Sequence, residues 1–266
     1  MFLEQTLSSL VTQSLPPKKI IVVNDNSRDG TQEIIDNFTE EYPFVSGIKT
    51  NSSDQHLPGS KIINAFYAGF EQLDTEYDII CKFDADLIFP ENYLESLSTL
   101  FTKNPECGIA GGFCAIQQRK AWKLENLTSR DHVRGALKAY RKACFKQIGG
   151  LRKSMGWDTV DELLARYHGW EVCTDESLHV KHLKPTAASY SEKAGLKQGE
   201  AFKKMRYGFI LTLIASAKLA LKKKSFSYFL KCINGYFSSG GGYIVTREEG
   251  KYIRQYRWKG IRRKFF

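Results

Sequence analysis

The sequence of 266 residues has no pair of cysteines at metal-binding spacing. Its six cysteines are scattered and none forms a CxxC. That excludes a zinc ribbon or finger, and the apolar surroundings of most of them fit reduced thiols in a cytosolic protein. A sustained apolar run is also missing. The longest, FILTLIASAKLAL from Phe209, is broken by Lys218 and falls short of the roughly 18 to 20 residues that span a bilayer, so no membrane crossing is expected. The opening MFLEQTLSSLVTQSL carries an acid and no apolar centre, so no signal peptide is expected either. There is no internal repeat, no low-complexity linker, and no helix-turn-helix, zinc or RNP-type motif. The net charge of +10 is therefore not read as a sign of nucleic acid.

Acid is scarce in one place only. From Lys197 onward, 17 Lys+Arg face three acids (Glu200, Glu248, Glu249), a surplus of 14. The first 196 residues hold 22 basic and 26 acidic groups. The positive charge belongs to the tail, which predicts two regions: a domain over 1–196 and a basic, aromatic-rich helical extension over 197–266.

What fills the first region is strand–helix alternation. KKIIVVND reads as a buried strand and TQEIIDNFTEEY as a helix with Ile34, Ile35 and Phe38 on one face. FVSGIKTN, YDIICKFD and CGIAGGFCAI read as further strands. PGSKIINAFYAGFEQL, with Pro58 in its first turn, and PENYLESLSTLFTK read as helices. RGALKAYRKACFKQIGGL gives a strand, a short helix and a Gly-Gly turn, and WDTVDELLARYHGW an acidic-fronted helix. This order predicts the α/β class, with a mostly parallel sheet flanked by helices. Two or three basic helices are expected beyond Lys197.

In open α/β sheets, ligands sit beyond the carboxyl ends of the strands. Two strands here end in acid, at Asp25 and at Asp84 and Asp86. Like charges this close repel unless a cation lies between them. Carboxylates on a turn suit Mg²⁺ or Mn²⁺, which shares its remaining positions with oxygens such as phosphate. The plainer alternative for DxD is a solvated turn or a helix cap, and for Asp25 an Asx-type turn within NDNSRDGT. Asp158, Asp161 and Glu162 open a helix, where the macrodipole favours an anion. They read either as simple capping or as a general base for an acceptor hydroxyl. His179 and His182 in ESLHVKHLKP have an odd offset, so on a strand only one of them faces a site. His182 is the one retained.

Taken in order, LEQTLSSLVTQSLPPKKIIVVNDNSRDGT, CKFDADLIFPENYL and IGGLRKSMGWDTVDELLARYHGW resemble the family 2 glycosyltransferases over roughly residues 1–185. The resemblance implies the Rossmann-like GT-A fold and an inverting transfer from a nucleotide sugar, a UDP-sugar first, to a cell-envelope glycan or lipid-linked acceptor. Carried over by position, Asp25 binds the nucleobase; Asn24, Lys61 and Asp84 are the other nucleotide-binding candidates. Asp84 and Asp86 match the metal-binding motif, with Asp86 the direct ligand of Mn²⁺ or Mg²⁺; His182, read from its own segment, is added to the metal candidates. Asp158 falls on the base position, with Asp161 as the alternative.

Three departures accompany the match. Trp157 stands where an acid often precedes the base, and the loop before KIINAFYAGF offers Lys61 and Asn64 in place of Arg-Asn-x-Gly. The family's opening strand, of the type apolar-x-apolar-Pro-Thr/Ser-Tyr/Phe-Asn, has no counterpart, so a chain lacking that strand is expected. The alternatives are a non-catalytic fragment or membrane-associated partner of the same fold, or a sugar nucleotidyltransferase, although no Gly-rich triphosphate loop is present. In the tail, Lys222, Lys223, Lys224 and RQYRWKGIRRKFF combine cations with Tyr256, Trp258, Phe265 and Phe266, the composition of an interfacial helix. They predict an anionic membrane surface as partner and a peripheral place on the inner face of the cytoplasmic membrane.

Overall fold

The computed structural model describes residues 2–51, 59–119, 121–125, 130–184 and 194–265. The first half runs α1 (Phe2–Val11), β1 (Ile20–Asp25), α2 (Thr31–Glu41), β2 (Val45–Thr50), α3 (Ser60–Phe70), β3 (Ile79–Phe83), β4 (Leu87–Ile88) and α4 (Tyr93–Lys103). Then come β5 (Cys107–Gln118), β6 (Ala121–Leu124), β7 (Leu137–Arg141), α5 (Lys142–Gln147), α6 (Trp157–Tyr167) and β8 (Glu171–His182). The chain closes with α7 (Ala194–Lys204), α8 (Phe209–Lys223), α9 (Phe226–Ser238) and α10 (Arg247–Phe265). Pro58 lies outside the described residues.

The β-branched run of β1 pairs in parallel with β2, from Ile20↔Val45 to Asp25↔Thr50. The α2 crossover lays the buried Ile35 over β2. Gly47 is what permits this, because a Cβ there would stand 2.3 Å from the Ile35 methyl.

The second sheet has the order β3-β7-β5-β8-β4, with β6 paired to β5. Only β5–β8 is parallel; β3–β7, β7–β5, β8–β4 and β5–β6 are antiparallel. The sheet is therefore mixed, which corrects the mostly parallel expectation. Parallel pairing needs a helix to return the chain, and among the described residues three strands, β4, β6 and β7, follow the strand before them without one. β4 follows β3 through a tight turn, and β6 folds straight back along β5. β4 has two residues and β6 four exposed ones, too little for a periodic signal.

Among the described residues, β1 pairs only with β2, and the two sheets are not joined. Between β1 and β3 runs a cavity of about 1980 Å³. Residues 20–23 of β1 and 79–83 of β3 line it in unbroken succession, so it follows the two strand edges. Leu7 and Leu10 of α1 and Phe66 of α3 also face it. The core is split accordingly. Leu3, Leu7, Val22, Ile35 and Val45 form a small cluster, and the other clustered core residues form a larger one, with Ile20 packed against both.

Three helices, α8, α9 and α10, begin beyond Lys197, and α7 runs across it from Ala194. Phe202, Met205, Tyr207, Leu211, Val245 and Ile253 belong to the larger core cluster, and Tyr256, Trp258 and Ile261 pack against it. α10 meets α6 where Tyr252 contacts Tyr167 at 5.5 Å and the Arg166 guanidinium lies 5.8 Å from the Tyr256 ring. The side chains of Phe265 and Phe266 lie outside the described residues. No described helix is long and apolar enough to cross a membrane.

Candidate functional site

At the end of β1, the Thr50 hydroxyl donates to the Asp25 carboxylate at 3.0 Å, and Lys61 Nζ lies 3.5 Å from its other oxygen. Asp25 and Lys61 both line the cavity. Asn24 takes a different part. It is buried, accepts from the Ser27 N–H at 3.0 Å and donates to Gln32 at 2.8 Å. It therefore shapes the turn into which Asn26 brings its positive φ, and it is not on the cavity wall.

At the end of β3, the cation expected near the paired aspartates is supplied partly by the chain itself. Lys82 ion-pairs with Asp84, donates to the Gly135 carbonyl at 3.0 Å and sits 5.3 Å from the Trp157 ring centroid. Sequence reasoning passed over this lysine. Its signal was a charge interrupting IICKF, two residues from Asp84 and therefore on the same strand face.

Asp86 points elsewhere. The β4–β8 ladder pairs Leu87 with His182, and the Leu183 N–H donates to the Asp86 carbonyl at 2.9 Å. The result places His182 Nε2 3.6 Å from the Asp86 carboxylate. Asp86 Oδ1 and His182 Nδ1 are both buried without a hydrogen-bond partner. Such groups are costly in isolation and fit a site that takes a cation. Glu125 is 3.8 Å from His182, and the ligand atoms of Cys114, Glu125 and His182 lie within 4.8 Å of one another. Arg134 ion-pairs with Glu125, so that carboxylate is already partly neutralised. His179 is exposed and His182 buried, the opposition their odd offset predicts.

α6 separates two kinds of acid. Asp158, in its first turn, lines the cavity with its side chain 32% exposed, and His132 Nε2 lies 3.9 Å away. Asp161 turns into the protein and is 1% exposed. It accepts from Lys138 Nζ at 2.8 and 3.0 Å and from the Tyr140 hydroxyl at 2.5 Å. Glu162 accepts from the Val133 N–H at 2.9 Å and from Lys138 at 3.1 Å, and pairs with His132 Nδ1 at 2.9 Å.

Burial drives Asp161 up to about 6 even against Lys138. Burial opposes ionisation of Glu162 as well, but Lys138 and His132 outweigh it and hold Glu162 below its ordinary value. Burial likewise works against the Lys138 ammonium, yet Asp161, Glu162 and Asp158 raise its pKa. Lys138 and Tyr140 were missed in the sequence. LKAY shows an apolar strand carrying one lysine, with nothing to say that its partners lie some twenty residues on.

Asp25, Lys61, Asp84 and Asp158 thus come together on one cavity, and Lys82 and His132 join them there. Asp86 and His182 form an adjoining pair, while Asn24 and Asp161 are engaged in local structure.

A family model described as "Glycosyl transferase family 2" matches residues 2–148. Among curated proteins, the chain is 35% identical over 86 residues to "Probable glycosyltransferase YdaM" of Bacillus subtilis, a match covering 32% of this chain and 19% of that protein. It is 31% identical over 118 residues to "Poly-beta-1,6-N-acetyl-D-glucosamine synthase" of Staphylococcus epidermidis, covering 44% and 26%. The matches thus span about a quarter or less of those relatives. Among solved structures, a mannosyltransferase from Pyrobaculum calidifontis in complex with GDP-Man and Mn²⁺ superposes with a TM-score of 0.55 at 14% identity, covering 98% of this chain and 76% of the other. GalNAc-T7 with UDP, GalNAc and Mn²⁺ gives 0.54 at 15% identity, covering 88% and 54%. At such identities the likeness speaks for a shared fold alone.

Proposed function

The chain belongs to glycosyl transferase family 2, and we propose that it moves a sugar from a nucleotide sugar, with UDP-sugars favoured, to a hydroxyl of a cell-envelope glycan or lipid-linked acceptor. The observation that carries this reading is convergence. Asp25 from β1, Asp84 from the end of β3 and Asp158 from α6 face one cavity, while the neighbouring acids Asp161 and Glu162 are tied to Lys138. The nucleotide sugars and Mn²⁺ named with the two similar structures support the donor class.

In this reading Asp25 and Lys61 hold the base end of the nucleotide, and Asp84 with Lys82 borders the diphosphate. The acceptor oxygen attacks the anomeric carbon from the face opposite the diphosphate. A new C–O bond forms as the bond to the leaving group breaks, and the configuration inverts. Asp158 takes the hydroxyl proton at its carboxylate. His132, held by Glu162, stands beside Asp158 at 3.9 Å. Asp161, buried against Lys138 and Tyr140, is given a framework role in this reading. Asp86 and His182, with Asp84, would hold Mn²⁺ or Mg²⁺. The ion's chemistry is that of a Lewis acid neutralising charge on the departing diphosphate. The reading places this chemistry on the cytoplasmic side of the membrane.

Isothermal titration of UDP in the presence of Mn²⁺ tests the proposal. Binding is expected, weakened at least about tenfold in Asp86→Ala, in line with loss of a metal ligand. No binding of UDP or GDP with Mn²⁺ present overturns it.

A further inference from the structure

α8 and α9 form a hairpin whose inner face is fully engaged. Gly199 of α7 meets α9 so closely that a Cβ would stand 1.8 Å from the Cys232 carbonyl oxygen. Leu211, Ser216 and Ala220 of α8 are buried with Cys232 and Gly235 of α9. The outer face is the opposite case. Ile210, Ile214 and Leu221 recur at helical spacing along α8, as Phe226, Leu230 and Phe237 do along α9, and all six are exposed. Leu221 and Phe226 are 79% and 72% exposed. Phe209 contacts Phe237 at 5.4 Å, which joins the two stripes into one surface.

The charge carried by the two helices has one sign. Neither helix contains an Asp or Glu, while Lys218, Lys222, Lys223, Lys224 and Lys231 lie within or between them. An apolar stripe this large on a soluble surface marks an interaction face. A lysine border without acids is complementary to a negatively charged plane.

We propose that the α8–α9 face docks on an anionic lipid surface, its stripe lying at the headgroup–acyl boundary and its lysines among the phosphates. This moves the membrane contact expected from the sequence away from α10, whose Tyr256 and Trp258 pack against the core. Ile214 and Lys218 also line the cavity that holds Asp158, so the stripe borders the cavity. A lipid-linked hydroxyl would reach Asp158 without leaving the interface. That last clause rests on the transfer reading; the docking itself does not.

Flotation of the full chain with phosphatidylcholine vesicles, with and without phosphatidylglycerol, tests the proposal. Binding is expected only with the anionic lipid and is expected to weaken with salt. Leu221→Glu/Phe226→Glu should reduce partitioning by more than about tenfold, with the melting temperature and UDP–Mn²⁺ binding unchanged. Arg262→Glu/Arg263→Glu on α10 should change it by less than about threefold. Equal binding to neutral vesicles, or full binding by the α8–α9 variant, overturns the proposal. So does a dimer in sedimentation that the same variant dissolves while vesicles capture nothing, because the stripe then belongs to a second copy.

Discussion

The two sides of the cavity are built unequally. On one side, β3, β7, β5 and β8 share a core cluster that reaches through α6 and into α10. On the other, β1, β2 and α2 rest on five buried residues, two of them from α1. The same inequality divides the site. Asp25 ends β1 on the light side, and Asp84, Asp86, His182 and Asp158 belong to the heavy one; Lys61 reaches Asp25 from α3, whose Ile63 lies in the larger cluster. A ligand that needs both sides therefore has to brace a small unit against a large one.

The largest expected effect is on the heavy side. Lys138→Met leaves Asp161 and Glu162 buried without their cation and should cost about 3–5 kcal/mol, seen as a collapse of the melting temperature or loss of soluble protein. A loss below about 1 kcal/mol would mean that the buried network does not anchor α6. Next, Ile35→Ala on the light side should cost about 2–4 kcal/mol. Hydrogen exchange should show that cost in β1 and β2 while amides of β5 and β7 stay protected. Equal deprotection of both sheets would dissolve the distinction between the sides.

Within α6 the contrast is finer. Asp161→Asn should cost about 1–3 kcal/mol by weakening the bonds to Lys138 and Tyr140. Asp158→Asn, at the cavity wall, should stay within about 0.5 kcal/mol of the parent in a chemical melt while removing sugar transfer. Equal destabilisation by both would assign Asp158 to the framework.

The smallest effect is on pH dependence. The folded pKa of Glu162 is depressed, so its contribution is present above its ordinary 4.5 and is lost as pH falls through the folded value. Asp161 runs the other way: with a folded pKa near 6 against an ordinary 3.8, its ionisation lowers stability as pH rises through that window. Melting curves in acid should therefore fall more steeply for the parent than for Glu162→Gln below pH 4.5.

Much of this was legible from local pattern. IIVVND, IICKFD and WDTVDELLARY announced two strands ending in acid and a helix opening on it, and these elements stand where they were expected. The α/β class followed from their order, and the GT-A architecture from the family resemblance. The sheet's direction was not legible, because a parallel return and an antiparallel one leave the same apolar strand. β7 reads LKAYR whichever way it runs. The choice between Asp158 and Asp161 was equally hidden. They are three residues apart on one helix, and only the position of Lys138 on β7 decides which of them faces the cavity. Lys82 sits inside CKFDAD, yet its pairing with Asp84 depends on a strand geometry that spacing alone does not weigh against solvation. For the tail, composition identified a basic, aromatic region. It could not show that α10 turns Tyr256 and Trp258 inward and that the exposed stripe lies on α8 and α9.

The central claim is that one ligand engages both sides of the cavity. Hydrogen exchange with and without UDP and Mn²⁺ measures this directly. Simultaneous protection is expected at the end of β1, at Asp25, and in the β3–β4 turn, at Asp84 and Asp86. Protection of the β3–β4 turn alone, with the β1 end unchanged at saturating UDP, would contradict it.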